Sequence, residues 1–261
     1  MDERSYHTGI ADSNGARYAI LTGDPGRVGT IARLLENPRF LNQNREYVTW
    51  AGELSGEPAL VTSTGIGGPS AAICVEELFA AGIRTFIRVG TCGGMASGVS
   101  GGDVVIANAA IRMEGTTKEY VPVEFPAVSD IAVTNALIEA SKTSGARWHC
   151  GVVHCKDSFF GQHDPERMPA GHELRDKWRA WIMAGCLASE MESAAVFIVS
   201  QILGARAGCV LNVVWNQERE RPDLSVSGGV AANAPLAAAV AVEAVRILIR
   251  GGAGASRPEG A

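Results

Sequence analysis

Early in the chain, three apolar runs each end in a glycine-rich turn: Tyr18-Ala-Ile-Leu21 into Thr22-Gly-Asp-Pro-Gly-Arg27, Ala59-Leu-Val-Thr-Ser63 into Thr64-Gly-Ile-Gly-Gly-Pro-Ser70, and Thr85-Phe-Ile-Arg-Val89 into Gly90-Thr-Cys-Gly-Gly94. Short runs of this kind, rich in β-branched and aromatic residues, read as buried strands. The first two turns open helical stretches, Val28 to Leu35 and Pro69 to Ala81, the second with Pro at its start and Gly82 just past its end. Repeated strand, Gly-rich turn and helix predict a mostly parallel sheet with helices on its faces. Ligands of such sheets sit at the carboxyl ends of strands, where Gly lets the backbone approach a bound group.

Arg88 is the anomaly in this pattern, a permanent cation inside an apolar strand. An unpaired guanidinium there is costly, so it faces an anion at the strand's mouth or pairs with a core carboxylate. The stretch alone leaves both open. A phosphate is the anion the first hypothesis names. The turn before Arg27 has the strand, turn and helix-start order that aims backbone N–H groups at an anion. Arg27 also opposes the helix dipole, which a bound anion would explain. The alternative is a plain Asp-Pro-Gly turn with a solvated Arg. No Walker loop is present, since the Gly-Lys-[Ser/Thr] ending is missing.

Downstream, Phe40 to Leu54 alternates weakly, Gly56-Glu57 reads as a hairpin turn, and Val104 to Met113 is a long strand followed by a loop from Thr117 to Pro126. Asp130 to Ser144 is a helix with Asp130 as cap and Gly145 as stop, and Trp148 to Lys156 returns to strand. The segment Asp157 to Arg167 mixes aromatic, amide and guanidinium groups. It suits a planar, hydrogen-bonding ligand such as a nucleobase, or is a surface loop. Gly171 to Ala184 is a helix that packs Trp178 and Trp181 on the core. Ser189 and Glu192 fit a capping box before the apolar helix Ser193 to Leu203, a role composition alone favours for Glu192. Ala207 to Trp215 is a further buried strand, and Ala231 to Ile249, carrying Asn233, Pro235, Glu243 and Arg246, is an amphipathic final helix rather than a membrane span.

No linker or internal repeat divides the chain, so residues 1–261 form one domain with a tail from Gly251 expected to be flexible. The excess of 28 acidic over 23 basic residues, net −5, argues against a general nucleic-acid binder. The polar, charged first residues do not read as a signal peptide. Six cysteines lie mostly in apolar segments. The one dense cluster, His149, Cys150, His154 and Cys155, falls on a predicted strand. Buried reduced thiols in a cytoplasmic protein are a simpler reading than a metal site.

Six motifs taken together resemble the nucleoside phosphorylases, in particular the members that cleave uridine. They are Gly23-Asp-Pro-Gly-Arg27, Arg45-Glu46, Thr64-Gly-Ile-Gly-Gly-Pro-Ser70, Arg88-Val-Gly-Thr91, Phe159 to Gln162, and Glu190-Met-Glu192, in matching order from His7 to about residue 250. The resemblance implies an α/β fold whose central mixed β-sheet forms a distorted barrel flanked by helices. It also implies a homohexamer, a trimer of dimers, with each site completed across a dimer interface. The implied activity is reversible phosphorolysis of uridine, extending to deoxyuridine or thymidine, in pyrimidine salvage, with no required cofactor.

By the same resemblance Arg88, Arg27, Gln162 and Glu192 would carry the chemistry. Gly23, Arg27, Arg88 and Thr91 would hold phosphate, with Arg45 from a neighbouring subunit. Met191, Glu192 and Thr91 would contact the ribose, and the neighbour's His7 would cover its 5′ hydroxyl. Phe159, Cys92 and Gly93 would line the base pocket, with Gln162 and Arg167 reading the uracil edge. Glu46, Ile66 and Ser70 match positions where some relatives bind potassium between subunits. Two departures bear on the base. The aromatic loop lacks a Pro before Gly161 and carries His163-Asp164-Pro165, which shifts Arg167; and Gln217 stands where some relatives have an Arg, leaving Arg219 or Arg221 as substitutes. Purine-cleaving relatives place an Asp near the end of the last strand, and here no Asp occurs before Asp223, which favours uracil. The competing readings are a purine nucleoside phosphorylase, a nucleosidase of the same fold, and a nucleoside sensor without turnover. The Arg clamp argues against the nucleosidase, because a water nucleophile needs no cationic cradle.

Overall fold

The computed structural model describes residues 5–219 and 234–252. The first half of the chain runs β1 (Tyr18–Thr22), α1 (Pro25–Ala32), β2 (Glu36–Asn44), β3 (Tyr47–Leu54), β4 (Glu57–Ser63), α2 (Gly68–Ala80) and β5 (Thr85–Gly94). It continues through β6 (Val104–Met113), α3 (Thr116–Tyr120), β7 (Ala127–Val128), α4 (Ile131–Thr143) and β8 (Trp148–Lys156). The last part holds α5 (Phe159–His163), α6 (Gly171–Met183), β9 (Ala188–Glu190), α7 (Ser193–Ile202), β10 (Arg206–Asn216) and α8 (Ala234–Arg250).

Strand β1 lies between β4 and β5 and is parallel to both. Beyond β4 the sheet turns into an antiparallel meander through β3 to β2. On its other side β5 pairs with two strands at once, parallel to β10 and antiparallel to β9. The path β5–β9–β8–β6–β10 then returns to β5, so five strands close on themselves. This is the expected α/β architecture: a mixed sheet that curls into a distorted barrel. Closure needs strands that shift register, and β10 does so between Val213 and Trp215, as β6 does against β8 between Ala107 and Ala109.

Strand alternation feeds two apolar layers. Ala19 and Leu21 of β1 and Phe86 of β5 face α2 and α7, while Tyr18, Ile20, Ile87 and Val89 face α1, α4 and α8. The two cysteines of the dense cluster divide the same way: Cys155 lies in the first layer and Cys150 packs against the second. Five positions apart on one strand, they point to opposite faces and cannot converge on one ion. All six cysteines are free thiols, and no helix among the described residues is long and apolar enough to cross a membrane.

Several local expectations need correction. Strand β5 does not stop at Gly90 but runs ten residues through the glycines, because Gly90 to Gly94 pair with Leu211 to Asn216 on one side and Gly93 and Gly94 with β9 on the other. The expected loop after Thr117 contains α3, held by Arg112, whose guanidinium donates to the carbonyls of Thr117, Val121, Pro122 and Phe125 at 2.5–2.8 Å. The segment from Asp157 to Arg167 contains α5 and a 3-10 turn, Pro165–Arg167, rather than loop alone. Helix α6 buries only Gly171 fully; Trp178 and Trp181 sit half-buried against His154 instead of entering a core. Asp130 caps α4 as expected, accepting from the Val133 amide at 3.0 Å. The expected start of the final helix at Ala231 and the tail beyond Gly252 lie outside the described residues.

Gly208 is a close approach of β10 to α4, since a Cβ there would lie 2.4 Å from Val133 Cγ1 and 3.0 Å from Leu137 Cδ1. Val133 is β-branched and cannot swing aside easily. Gly208→Ala is expected to destabilise the fold by about 1–3 kcal/mol through overpacking, read as a lower urea midpoint at unchanged slope. An unaltered midpoint would mean that α4 is free to move off the sheet.

Candidate active site

A cavity of about 770 Å³ opens where the carboxyl ends of β1, β5, β8 and β10 meet. At one end, Gly23 and Asp24 follow β1 and lead into the first turn of α1. Asp24 caps that helix, accepting from the Gly26 amide at 2.8 Å, and pairs with Arg27 at 3.5 Å. Arg27 therefore stands at a helix start with a neighbouring carboxylate, its guanidinium on the cavity wall.

The floor is a buried ion cluster. Arg88, only 4 % exposed, donates through Nε to Glu190 Oε2 at 3.0 Å and through Nη2 to Glu192. Its third nitrogen, Nη1, has no hydrogen-bond partner among the described residues. The core-carboxylate pairing left open by the sequence is thus real, and it still leaves one nitrogen of this cavity-lining cation unsatisfied among the described residues. Gly90 makes room for it, because a Cβ there would come within 2.9 Å of Arg88 Nη2.

The expected capping box does not form. Glu190, not Glu192, closes the start of α7, accepting from the amides of Glu192 at 2.9 Å and Ser193 at 3.0 Å and from the Ser193 hydroxyl. Glu192 instead occupies the cap position itself and turns its side chain to Arg88 and to the Gly67 amide at 2.7 Å. Burial alone would raise the Glu190 carboxyl; Arg88, the Ser193 hydroxyl and the Glu192 amide overcome it and hold the group below the usual carboxylate range. For Glu192, burial outweighs Arg88 and, with repulsion from Glu190, lifts the carboxyl above that range. Arg88 is desolvated too, but its two carboxylates keep it protonated.

The other end is built by β8, α5 and the end of β10. Lys156 closes β8, nearly buried, and donates to Ser189 Oγ at 3.0 Å. Ser189 donates onward to Gln162 Oε1 at 2.7 Å, and Gln162 Nε2 has no partner among the described residues. The Phe159 and His163 rings of α5 lie 4.3 Å apart, inclined at 45°, and His163 lies 5.8 Å from the Trp215 ring. Gln217 packs against Gly93, where a Cβ would stand 2.2 Å from its amide nitrogen. Burial, aided by Lys156, pushes the His154 imidazole down to about 3 and that of His163 down to about 4. Lys156 itself is lowered by burial.

Of the residues singled out from sequence, Gly23, Arg27, Arg88, Thr91, Met191 and Glu192 line this cavity, as do Cys92, Gly93, Phe159 and Gln162. His7 does not; its amide and Nδ1 bond Glu77 of α2 at 3.0 and 2.7 Å. Arg45 is exposed in the β2–β3 turn, 5.6 Å from the Tyr6 ring. Asn44 donates to the His7 carbonyl at 2.8 Å, so His7 and Arg45 share one surface outside their own chain's cavity. Arg167 also stays out, paired with Asp164 at 3.1 Å and lying over the Phe160 ring. Arg219 reaches Ser100 Oγ at 3.3 Å and the Ser97 carbonyl, and Arg221 lies outside the described residues. Ile66 reaches the cavity wall; Glu46 and Ser70 stand behind it, with Ser70 Oγ 3.2 Å from the Ile66 carbonyl. The sequence reading missed Lys156, Ser189 and the cap role of Glu190. Lys156 carried the same signal as Arg88, a lone cation closing an apolar strand.

A family model described as the phosphorylase superfamily matches residues 17–250. The chain is 51% identical over 247 residues to a uridine phosphorylase of Treponema pallidum, covering 94% of each chain. It is 45% identical over 248 residues to a uridine phosphorylase of Thermococcus kodakarensis, covering 93% of this chain and 86% of the relative. A guanosine phosphorylase of Halorubrum lacusprofundi is 39% identical over 210 residues, covering 80% and 83%.

The two depressed histidines tie stability to pH. An unfolded imidazole protonates near 6.5, whereas folded His154 and His163 stay neutral until about 3 and 4. The unfolded chain binds more protons through that window, so stability is full above it and falls as pH drops from about 6.5 toward 4. Thermal melts should show this decline, and His154→Asn should make it shallower. An identical decline in the variant would exclude His154 as a source.

Proposed function

The chain belongs to the phosphorylase superfamily, and from that premise we propose that it is a pentosyltransferase that cleaves uridine reversibly with inorganic phosphate, giving uracil and ribose 1-phosphate. The observation that carries the reading is that Arg88 and Gln162, both lining one cavity, each keep a buried nitrogen, Nη1 and Nε2, with no partner among the described residues. Nη1 is ready for an anion and Nε2 for a carbonyl.

Phosphate lies against Gly23, Arg27, Arg88 and Thr91, beneath the anomeric carbon. Breaking the glycosidic bond builds positive charge at C1′ and negative charge on the base, so stabilisation is needed on both sides. The clamped phosphate first faces and then captures the cationic sugar; holding both reactants together removes several kcal/mol of entropic barrier. Glu192 accepts from the ribose hydroxyls beside Met191, while Arg88 keeps it in place. Phe159 covers the pocket, Cys92 and Gly93 floor the base, and Gln162 donates to a uracil carbonyl. Arg167 is not assigned to the base, since it is held by Asp164.

The proposed assembly is a homohexamer, a trimer of dimers, in the cytoplasm and serving pyrimidine salvage. Its support is the placement of His7 and Arg45 together on one surface, suited to entering a neighbour's cavity at the 5′ hydroxyl and the phosphate. Glu46, Ile66 and Ser70 bring a carboxylate, a carbonyl and a hydroxyl around Gly65. Such hard oxygen donors suit a potassium ion at that interface, and the reaction itself requires no cofactor. Uracil is preferred over purines on this reading because the stretch after β10, Trp215-Asn-Gln-Glu-Arg219, holds no Asp where purine-cleaving relatives place theirs.

A panel of uridine, thymidine, inosine, guanosine and adenosine, each with and without phosphate, tests this. Base release is expected from uridine and only with phosphate. Release without phosphate would mean a nucleosidase, release from purines a purine phosphorylase, and binding without turnover a sensor. Arg88→Lys keeps a cation between the two carboxylates but loses the fork; kcat/KM should fall about 10²-fold or more with a raised KM for phosphate. Normal kinetics in that variant would take Arg88 out of the phosphate site.

A further inference from the structure

Among the described residues, every polar group of His7 but one is bonded within its own chain. Its amide donates to both oxygens of Glu77 at 3.0 and 3.2 Å, its Nδ1 lies 2.7 Å from Glu77 Oε1, and its carbonyl accepts from Asn44 at 2.8 Å. The Thr8 amide brings a further bond to Glu77 at 2.6 Å, and Asn42 donates to the Thr8 carbonyl at 2.8 Å. One carboxylate of α2 and two amides of β2 thus strap down a segment that belongs to no helix or strand. Stapling that segment needs only the backbone bonds; the bond to Nδ1 fixes the ring as well. The atom left over is Nε2, on a side chain that is 31 % exposed.

The chemistry of Glu77 decides where His7 carries its proton. Burial alone would raise this carboxyl; the Thr8 and His7 amides and the His7 ring overcome it and hold the group below the usual carboxylate range. An ionised carboxylate only accepts, so Nδ1 is the donor in the bond between them. In the neutral imidazole Nε2 then keeps the lone pair and accepts. The Tyr6 ring stands edge-on to the imidazole at 4.7 Å, so the ring is bounded on that side too.

We propose that Glu77 is a positioning residue for the sugar: it fixes the ring and tautomer of His7, so that Nε2 accepts from the 5′ hydroxyl of a nucleoside bound in the neighbouring subunit's cavity. This rests on the uridine phosphorolysis reading, with His7 crossing between subunits, and deepens it. A hydroxyl can donate or accept, and a lone pair held in place selects donation. Helix α2 thereby serves two sugars. The Gly67 amide at its start holds Glu192 in its own cavity at 2.7 Å. Glu77, about 15 Å further along the helix, holds His7 for the neighbour's. The competing role for Glu77 is a plain staple that ties residues 5–10 to α2.

Removing the 5′ hydroxyl from the substrate separates the two roles. Glu77→Gln keeps the side chain's size, but its amide can donate to Nδ1 and so permit the opposite tautomer. The preference for uridine over 5′-deoxyuridine, taken as the ratio of their kcat/KM values, should fall about tenfold in this variant, the worth of one hydrogen bond. His7→Ala should lower the ratio at least as far. Adding Glu77→Gln to it should change the ratio no further, because Glu77 acts through His7. A ratio that Glu77→Gln leaves unmoved, or a further fall in the double variant, would overturn the assignment and leave Glu77 as a staple. If Glu77→Gln does not fold, Glu77→Asp, which withdraws the carboxylate by one methylene, takes the same comparison. Wild-type enzyme that releases no uracil from uridine with phosphate would instead overturn the phosphorolysis reading, and this assignment with it.

Discussion

The structure depends on one guanidinium shared by two buried carboxylates. Removing three charges from water costs several kcal/mol each, and the cost is offset only when geometry is close and every remaining polar group finds a partner. Here the partners come from four elements: Arg88 from β5, Glu190 from β9, the capped amides of α7, and the Gly67 amide that opens α2. Each of these elements is consequently held in register by the same cluster. Arg88 Nη1 is the exception, a buried donor on a cation with no partner among the described residues. An orphan of that kind destabilises the free protein, and a bound anion is what would relieve it.

Barrel closure sets the rest of the cavity. Because β10 must pair with β5 and with β6, it changes register between Val213 and Trp215, and that irregularity brings Val214 and Trp215 to the cavity wall. Asn216 then fixes the strand's end by donating to the carbonyls of Ala96 and Val99 at 2.8 and 2.6 Å. Gln217 is left facing Gly93, whose missing side chain is the space the amide fills. A bulge beside a site commonly re-aims side chains in this way.

The parts of this fold legible in the sequence are those set by local physics. Apolar runs bounded by turns located β1, β4 and β6, and short-range caps and stops located α2 and α4, because their determinants lie within a few residues. The site was legible where a residue's chemistry conflicted with its surroundings, as for Arg88 and Arg27. What the sequence hid depends on distant partners. Arg88 and Glu190 are 102 residues apart, and Glu192 and Gly67 are 125 apart. The capping-box spacing of Ser189 and Glu192 was a sound local pattern that lost to those distant charges: Ser189 is drawn to Gln162 and Glu192 to Arg88. Trp178 and Trp181 misled for a related reason. Their spacing places them on one helix face but cannot say that the opposing surface is His154 rather than a core.

Under the proposed assignment of a phosphate end and a base end, the two ends of the cavity solve opposite electrostatic problems with the same residue classes. At the phosphate end the cations must already be present and unsatisfied, because the ligand arrives charged; Arg88 meets that condition by keeping its charge through two fixed carboxylates. At the base end charge appears only during the reaction, so donors must be held in place without a strong ground-state partner. Ser189 does this for Gln162, occupying the oxygen and leaving the nitrogen open. The neutral histidines beside it add ring surface without adding charge. Water as nucleophile would require only the second of these arrangements. That both occur in one cavity, joined through the Glu190–Glu192 turn, is why the geometry favours phosphate transfer over hydrolysis.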